Sequence, residues 1–596
     1  MINKKTLNLS NYIETFKYLK SFKLSVLIVV LLSSIGSISS GLSIGLIIPL
    51  LDGNSRNIFE DTPFRFLDNF LNSTSSGNFE TKIILTSSLI IIFAAIDLLM
   101  RYINLLISNN IDYKIRNIVL RSIKDKFDTI SYKEFFKKSS GESFTILTTD
   151  PGKIGGINKR LLLNFYSFLS VLIFSIVMFL VSPFLTVFSV VFFIFINFFS
   201  TRIIEKNLIS VQRKIASKQM ILNSQAQNSL QHFKVLRVYQ QLMPNIERLL
   251  EEYQEQFDNM KNYYVKSGLT SPVGAFFNTF SIGVLLMFGT YLFRNEEQTW
   301  LVMLIPFLVL LFKILPNISS LNALRININS NYPYVERVED FLKQDKADLR
   351  KDGTLENIPF SDKIKFNNLK FGYDNTLIFN NLNFTIPKNS TVGIFGPSGA
   401  GKSTIFDLFL KIYTDYEGDI LIDNNNIKTI KNESYYKNIS YMPQEGVFIN
   451  DTLTSNFNML SEVTNNKQFE SILTKLGLSE LKSKLPNTLG QGGINLSSGQ
   501  KQKINFIRSF LKPSNIFLLD EPSSNLDFES EQVIFDLLKN IKNKKTIFLI
   551  SHSRKFIDLC DYILIISDLD FYQFGKRKDM LETKYFKKLI ENKVIT

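Results

Sequence analysis

Gly396-Pro397-Ser398-Gly399-Ala400-Gly401-Lys402-Ser403, followed by Thr404, is the stretch that decides the fold of this chain. It fits G-x-x-x-x-G-K-[ST], a loop whose backbone N–H groups cradle phosphates. The apolar run 391–395 before it predicts a buried strand, and 404–410 predicts a helix. We therefore interpret it as a phosphate-binding loop, with Lys402 on the β- and γ-phosphates and the Ser403 hydroxyl on Mg²⁺. A glycine-rich turn with a chance Lys-Ser pair is the alternative.

A second apolar strand, 516–521, ends in two acidic residues. In a phosphate-binding site Asp520 would hold Mg²⁺, directly or through water, and Glu521 would polarise the attacking water as general base. Taken alone, the run reads equally well as a core strand with a polar end.

Shorter motifs surround these two and together resemble the ATP-binding cassette (ABC) ATPases. They are Tyr373 in Phe371-Gly372-Tyr373, Gln444 in Tyr441-Met442-Pro443-Gln444, Leu496-Ser497-Ser498-Gly499-Gln500, Ser524-Asn525-Leu526-Asp527, and His552. The resemblance implies that Tyr373 stacks on adenine and that Gln444 serves catalysis and Mg²⁺ as the Q-loop glutamine. It implies that 496–500 is the signature, which binds ATP across a dimer. It also implies that Asp527 belongs to the D-loop and that His552 contacts the γ-phosphate.

Three positions depart from the family pattern. Ser498 replaces the first glycine of the signature, although its small side chain still allows backbone approach to phosphate. Asn525 stands where alanine is usual, and Gln491 stands where glutamate is common in the exporter X-loop. Because Glu521 and His552 are both present, we expect a catalytically complete ATPase.

The composition indicates a large membrane part. Of 596 residues, 45% are hydrophobic and only 20% charged, and 54 are Phe. The net charge is +14, but the basic residues are dispersed and no nucleic-acid module appears, so we expect no nucleic-acid partner. A single cysteine, Cys560, excludes an intrachain disulfide, and two distant histidines make zinc chemistry a poor fit.

Long stretches with few or no charges predict six transmembrane helices within a membrane domain at 1–330. Their approximate bounds are 24–51, 83–108, 161–181, 183–201, 267–293 and 299–324. Buried core helices are the alternative. A linker at 331–363 and an ATPase domain at 364–596 are predicted to follow, with a helical tail after Ser567.

The charges of the loops predict orientation. Loops 109–160 and 202–266 hold eleven and ten Lys and Arg residues, against three in 52–82. The positive-inside rule then places the N-terminus and both basic loops in the cytoplasm, and an even number of spans returns the chain there. We expect cytoplasmic termini and a bacterial inner membrane.

The cytoplasmic loops have a helical pattern and should extend the spans beyond the bilayer. Gly141–Asp150 and Gln231–Tyr239 resemble the two intracellular loops of exporters, whose short coupling helices touch the ATPase. Near the N-terminus, Leu9–Phe22 predicts a short amphipathic helix on the membrane surface.

Over nearly its whole length the chain resembles an exporter-fold (type IV) ABC half-transporter: a six-helix membrane domain followed by an α/β P-loop ATPase. The resemblance implies ATP and Mg²⁺ as cofactors, a homodimer as the working unit and an exported substrate. Gly45–Leu50 and Lys313–Ile318 resemble members that flip lipid-linked oligosaccharides. A peptide or drug exporter, or a non-transporting regulator of the same fold, remains open.

Three charged residues fall inside predicted spans: Asp97, Arg101 and Lys313. At 1.5 Å per residue Asp97 and Lys313 would each lie roughly 20 Å deep. Such side chains cost about 2.5–3.5 kcal/mol each in a bilayer and should face protein or water. An i,i+4 Asp97–Arg101 pair is one interpretation. A cavity with surplus positive charge, suited to a phosphate or pyrophosphate headgroup, is the other.

Overall fold

The computed structural model describes most of the chain, in two compact units. The described residues are 15–46, 79–191, 208–269, scattered positions between 272 and 290, 297–343, 352–356, 360–373, 376–465, 467–490, 493, 495–568 and 571–591. One unit comprises Met1–Asp128 and Phe136–Lys346, and the other comprises Thr129–Phe135 and Ala347–Thr596. We call them the membrane unit and the ATPase unit.

Helices form the described part of the membrane unit. They are α1 (Lys23–Gly45), α2 (Phe79–Thr129), α3 (Tyr132–Lys137), α4 (Ser140–Thr148), α5 (Asp150–Val181), α6 (Leu208–Gln231), α7 (Phe233–Val238), α8 (Leu242–Gly268) and α9 (Glu297–Leu342). A short 3₁₀ helix, Lys17–Phe22, precedes α1, and residues 183–191 are also helical. Helices α2 and α3 run across the boundary between the two units.

Four helical stretches in the described residues are long and apolar enough to cross a membrane: Lys17–Gly45, Glu80–Thr129, Ser140–Val181 and Phe307–Leu342. They contain most of the predicted first, second, third and sixth spans. Residues 47–51 and 192–201 and about half of 267–293 lie outside the described residues, so six spans remain a prediction. With these helices the chain is an integral membrane protein.

Small polar side chains join the helices of this unit. The hydroxyls of Ser37 and Ser170 are 2.8 Å apart, and Asn104 Nδ2 donates to Ser33 Oγ at 3.0 Å. Hydrogen bonds of this kind hold helices together in lipid, where apolar contact alone gives little preference for one helix over another.

The N-terminal segment 9–22 is predicted to lie on the membrane surface, and its described part also contacts α9. Tyr18 is buried, its hydroxyl donates to Glu339 Oε1 at 2.8 Å, and Lys17 is paired with the same carboxylate. The described part of the segment is therefore anchored to α9, because the buried Glu339 needs these partners. Residues 9–14 lie outside the description.

The predicted linker at 331–363 is partly wrong. Helix α9 continues without a break through Pro316 and ends only at Leu342, so residues 331–342 are helical. Val335, Val338 and Phe341 are buried in this stretch. Its polar composition suggested a linker, but these apolar residues recur at helical spacing and bury one face.

The ATPase unit contains two sheets. The strands are β1 (Lys363–Tyr373), β2 (Thr376–Pro387), β3 (Thr391–Phe395), β4 (Glu417–Ile422), β5 (Asn425–Asn426), β6 (Ile439–Met442), β7 (Ile516–Asp520), β8 (Thr546–Ile550), β9 (Tyr562–Asp568) and β10 (Phe571–Lys576). An antiparallel sheet has the order β2-β1-β4-β5, and a mixed sheet has the order β10-β9-β3-β8-β7-β6. Strands β3, β7 and β8 are buried throughout, as expected for a parallel sheet covered on both faces.

Helices of the ATPase unit pack around the mixed sheet. They are α10 (Lys402–Phe409), α11 (Asn432–Lys437), α12 (Leu453–Phe457), α13 (Phe469–Lys475), α14 (Ser498–Leu511), α15 (Phe528–Ile541), α16 (Arg577–Glu582) and α17 (Lys584–Glu591). The tail after Ser567 was predicted helical, but it first forms β10, whose aromatic residues pair with β9. Parallel strands β3, β7 and β8 end at one edge, where the predicted site residues lie.

Candidate active site

The phosphate-binding loop joins β3 to α10, as predicted, and its glycines are sterically required at two positions. A Cβ on Gly396 would lie 2.0 Å from the carbonyl oxygen of Ile566. Gly401 has φ +91°, a conformation that favours glycine, and a Cβ there would meet Ile378 Cγ2 at 2.8 Å. Ser398, Gly399 and Ala400 lie between them. The N-terminus of α10 follows at once and attracts anions.

Lys402 folds back onto its own loop. Its Nζ donates to the carbonyl oxygens of Gly396 at 2.8 Å and Pro397 at 2.9 Å. Burial lowers the pKa of Lys402, and the nearby Glu521 and Asp520 act in the opposite direction. Both carbonyl bonds can be exchanged for phosphate oxygens, which would compensate the buried charge more strongly.

Ser403 and Asp520 come together as two hard oxygen donors. Ser403 Oγ donates to Asp520 Oδ2 at 3.0 Å, and Asp520 is 4% exposed. Burial raises the pKa of Asp520, and a cation beside it would offset that effect. Hydroxyl and carboxylate oxygens are the donors that Mg²⁺ takes alongside phosphates and water, so the pair fits that ion.

Glu521 lies between the side chains of two other predicted site residues. Gln444 Nε2 donates to Glu521 Oε2 at 3.2 Å, and His552 Nε2 lies 3.4 Å from Oε1. The Glu521 backbone has φ +48°, is tied to the Ile550 carbonyl at 2.9 Å, and its own carbonyl accepts from Gln502. This backbone aims the carboxylate from the end of β7 towards the residues after β6 and β8.

Tyr373 lies against the helix that follows the phosphate loop. Its hydroxyl donates to Thr404 Oγ1 at 3.2 Å. Its ring meets those of Phe371 and Tyr413 edge-on, with centroids 5.1 and 5.2 Å apart. Burial raises the pKa of Tyr373. The aromatic neighbours fix the ring orientation, which a residue that stacks on adenine requires.

The signature forms the start of α14. Ser497 is the N-cap: its hydroxyl accepts from Gln500 N at 3.2 Å, while Gln500 Oε1 accepts from Ser497 N at 3.0 Å. Leu496 is buried just before the cap, and Ser498 is the first helical residue. This capping box leaves the helix N-terminus ordered for an anion.

The D-loop lies against the signature, and its backbone conformation explains why Asn525 replaces the usual alanine. A Cβ on Gly499 would meet the Asn525 carbonyl at 3.3 Å, so the two loops are in close contact. Asn525 has φ +61°, which asparagine adopts more readily than alanine. Asp527 caps α15 by accepting from Ser530 N at 2.8 Å, and this bond lowers the pKa of Asp527 to about 2. Gln491 lies outside the described residues.

Sequence reasoning missed two residues beside the site. Tyr132, at the start of α3, packs edge-on against Tyr413 with ring centroids 5.7 Å apart, although the first coupling loop was predicted about ten residues later. Asp407, on α10, is half-buried, and burial together with Asp520 raises its pKa to about 6. The signal for Tyr132 was the aromatic cluster 132–136 directly after a long helix.

In the membrane unit Asp97 and Arg101 form the predicted i,i+4 pair. Arg101 Nε donates to Asp97 Oδ1 at 2.9 Å, and its guanidinium carbon lies 4.3 Å from the centre of the Tyr166 ring. Gly36 allows α1 to approach, since a Cβ there would be 3.2 Å from Asp97 Oδ1. Asp97 is buried, whereas half of the Arg101 side chain is exposed. Lys313 is exposed on α9.

The fold and the site together define a P-loop ATPase joined to membrane-spanning helices. Comparison with protein families agrees with that class: the ABC transporter transmembrane region matches residues 24–315, and the ABC transporter domain matches residues 379–524. The chain belongs to the ABC transporters and is a half-transporter of the exporter fold.

Curated relatives match part of the chain. A putative export ATP-binding/permease protein of Rickettsia typhi is 37% identical over 231 residues, 38% of this chain and 40% of the relative. An ATP-dependent lipid A-core flippase of Haemophilus influenzae is 32% identical over 238 residues, 39% of this chain and 40% of the relative. The chain therefore spans about two fifths of the length of these relatives in the match.

Two longer matches cover most of the chain. A putative export ATP-binding/permease protein of Rickettsia bellii is 25% identical over 499 residues, 80% of this chain and 83% of the relative. The structure of a bacterial Atm1-family ABC exporter with ATP bound has a TM-score of 0.79 and 19% identity. It covers 96% of this chain and 99% of that one, which shows a common fold.

Proposed function

We propose that this protein is an ATP-driven exporter that moves an amphipathic substrate outward across a membrane. The observation that carries the proposal is the meeting of Glu521, Gln444 and His552 beside Ser403 and Asp520, in a chain that also has apolar membrane helices. Each residue type at this point has a part in nucleotide hydrolysis.

Each residue of the site has its own role in ATP binding or hydrolysis. Lys402 exchanges its two carbonyl acceptors for phosphate oxygens, and Tyr373 offers a ring held by Tyr413 for the adenine. Glu521 accepts a proton from water, while Gln444 and His552 hold its carboxylate in place. Bound Mg²⁺, held by Ser403, Asp520 and Gln444, would supply charge neutralisation at the phosphates.

The working unit of the proposal is a homodimer. One chain has one phosphate loop and one signature, and the signature of this family completes the ATP site of the opposite copy. The capped, ordered start of α14 and the contact of Gly499 with Asn525 support that role. Ser498 adds only a hydroxymethyl group at the first turn. Two-fold pairing is the simplest symmetry that completes both sites.

For the substrate we propose a lipid or a lipid-linked oligosaccharide. Arg101 and Lys313 are cations within membrane helices, both with exposed side chains, and only Asp97 balances them among these three. A surplus positive charge suits a phosphate or pyrophosphate headgroup. The name of the Haemophilus relative, a lipid A-core flippase, supports a lipid. A peptide or drug exporter is the second candidate, and a non-transporting regulator of the same fold is the third.

The proposed location is a bacterial inner membrane with both termini in the cytoplasm. The support is the excess of Lys and Arg in the loops 109–160 and 202–266. Labelling of introduced cysteines from either side of intact cells, in a Cys560→Ser background, would test that orientation.

Purified protein in liposomes tests the function. We expect a dimer in detergent, Mg²⁺-dependent ATP hydrolysis by the protein alone, and stimulation by an added lipid-linked sugar but not by a drug or peptide panel. Dependence on a different second chain would refute the homodimer. Stimulation by peptides alone would favour the second candidate.

A further inference from the structure

A cavity of about 420 Å³ opens among three helical segments of the membrane unit: α5, residues 183–191 and α9. Its walls are mainly aliphatic, formed by Val171, Met178, Leu311, Ile314, Ile318 and Leu321. Native protein cores rarely leave voids larger than a water molecule, so a space of this size is unlike ordinary packing.

The origin of the cavity is the break between α5 and the following segment. Ser182 leaves the helical conformation, with φ −154° and ψ 102°, and Pro183 starts the next segment. Pro183 lacks an N–H and disfavours a helical residue before it. The chain changes direction there, and residues of both segments and of α9 line the cavity.

Four uncharged polar residues lie on the wall: Ser175, Thr186, Ser189 and Asn322. Thr186 Oγ1 donates to the Ser182 carbonyl at 2.8 Å, and Ser189 Oγ donates to the Thr186 carbonyl at the same distance. No Asp, Glu, Lys or Arg is among the described residues that line the cavity. A phosphate placed here would lose its water and meet no charged partner among these residues, which costs free energy, whereas a hydrocarbon chain would not pay that cost.

The volume of the cavity fits an apolar group much larger than a benzene ring. An engineered apolar cavity of about 150 Å³ stays dry and takes benzene, and small-molecule sites span about 300–1,000 Å³. Lys313 lies on α9 between Leu311 and Ile314, which line the cavity, but its own side chain is exposed. A bound chain can thus enter the cavity while a charged end stays outside, near a cation.

We propose that this cavity binds the hydrocarbon chain of the exported lipid, separately from the groups that bind its head. The inference rests on the proposed function, because a lipid substrate supplies both parts. It adds that recognition depends on the chain as well as on the phosphate.

A neutral probe tests the cavity itself. Wild-type protein in phosphatidylcholine nanodiscs is labelled with hexadecanol that carries a diazirine in its chain, and the labelled residues are located by mass spectrometry. We expect saturable labelling of cavity residues, weakened about tenfold in Val171→Trp, which narrows the space. The neighbouring Leu172, 46% exposed, gives the matched control Leu172→Trp, which should label as the wild type does.

Ser175→Phe repeats the test at a second position on the wall, and an unchanged elution volume and melting temperature show that each variant is folded. Labelling that is unsaturable, or equal in Val171→Trp and Leu172→Trp, would overturn the proposal.

Alkyl phosphates then separate this inference from the proposed function. We expect hexadecyl phosphate, but not butyl phosphate, to stimulate ATP hydrolysis by the wild type, and Val171→Trp to lose that stimulation. Equal stimulation by both phosphates would mean that the protein recognises only the phosphate headgroup. That result would refute binding of the chain in the cavity but would leave the proposed function intact. Saturable labelling without stimulation by any alkyl phosphate would mean that the cavity holds a bilayer lipid, which refutes the exported lipid as its occupant.

Discussion

Tyr132 and Tyr413 meet edge-on in the ATPase unit, with ring centroids 5.7 Å apart and planes at 83°. Tyr413 makes the same kind of contact with Tyr373, at 5.2 Å. Tyr132 begins the short helix that follows the long membrane helix α2, and Tyr373 is the candidate adenine residue. One aromatic side chain therefore joins the segment after a membrane helix to the nucleotide site.

Replacement of Tyr413 should weaken ATP binding. Tyr413→Ala removes the ring that orients Tyr373, and an aromatic pair contributes about 0.5–1.5 kcal/mol. We expect the KM for ATP to rise about two- to tenfold, measured by steady-state hydrolysis at saturating Mg²⁺. Tyr413→Phe keeps the ring and should behave as the wild type does. An unchanged KM in Tyr413→Ala would show that Tyr373 is held without it.

Glu521→Gln should stop hydrolysis while leaving ATP binding intact. The amide cannot accept a proton from water, so turnover should fall about a hundredfold or more. Binding of a fluorescent ATP analogue and the accumulation of a nucleotide-bound dimer measure what is retained. Glu529→Gln, an exposed glutamate on α15, is the matched control. Near-normal turnover in Glu521→Gln would rule out the assignment.

The raised pKa of Asp407 predicts that the folded protein loses stability as the pH rises. Its pKa is about 6 in the folded protein, above its usual 3.8, so the folded state holds the proton more tightly than the unfolded state. The contribution is present below about pH 4 and is lost as the pH rises to about 6. Because Asp407 is partly exposed, the loss should be about 1–2 kcal/mol after solvent screening.

Asp407→Asn should therefore raise the melting temperature at pH 7.5, raise it less at pH 5 and have little effect below about pH 4, in buffer without Mg²⁺. Asp415→Asn, an exposed aspartate just beyond Tyr413, is the control. A lower melting temperature for Asp407→Asn at pH 7.5 would contradict the prediction.

The charged membrane residues should affect stimulation more than basal activity. Lys313→Ala should leave basal ATPase activity nearly unchanged and abolish stimulation by an anionic lipid, and Lys313→Arg should preserve it. Arg101→Ala alone strands the buried Asp97, at about 2.5–3.5 kcal/mol. The Asp97→Asn, Arg101→Ala double variant removes that cost. If stimulation and transport persist in the lysine and double variants, these residues are only structural.

The local parts of the site could be predicted because each is encoded in a short stretch. The strand, glycine loop and helix around Lys402 follow from apolar runs and glycines alone. The neighbours of Glu521 could not be derived in this way, since they depend on strand order. β6, β7 and β8 lie side by side, so Gln444 and His552 arrive on either side of Glu521 from distant points in the chain.

Other predictions differed from the structure because they relied on the local amino-acid composition. Residues 331–342 are polar enough to suggest a linker, but three buried apolar side chains keep them helical. The tail contains Phe571-Tyr572-Gln573-Phe574, aromatic residues that favour a strand, yet the basic residues around them suggested a helix. Asn525 departs from the family pattern in sequence. The reason, a backbone with positive φ, depends on the fold and could not be derived from the sequence.

Helix α17 also has a consequence for the order in which the protein forms. Phe586 is fully buried and meets Phe395, the residue just before the phosphate loop, with ring centroids 6.1 Å apart. Phe586 is synthesised long after Phe395, and domains form during synthesis from the N-terminal side. Phe395, at the end of β3, can therefore make this contact only after the membrane helices and most of the ATPase unit have been translated. The nucleotide site is finished late, when the helices it is to drive are already made.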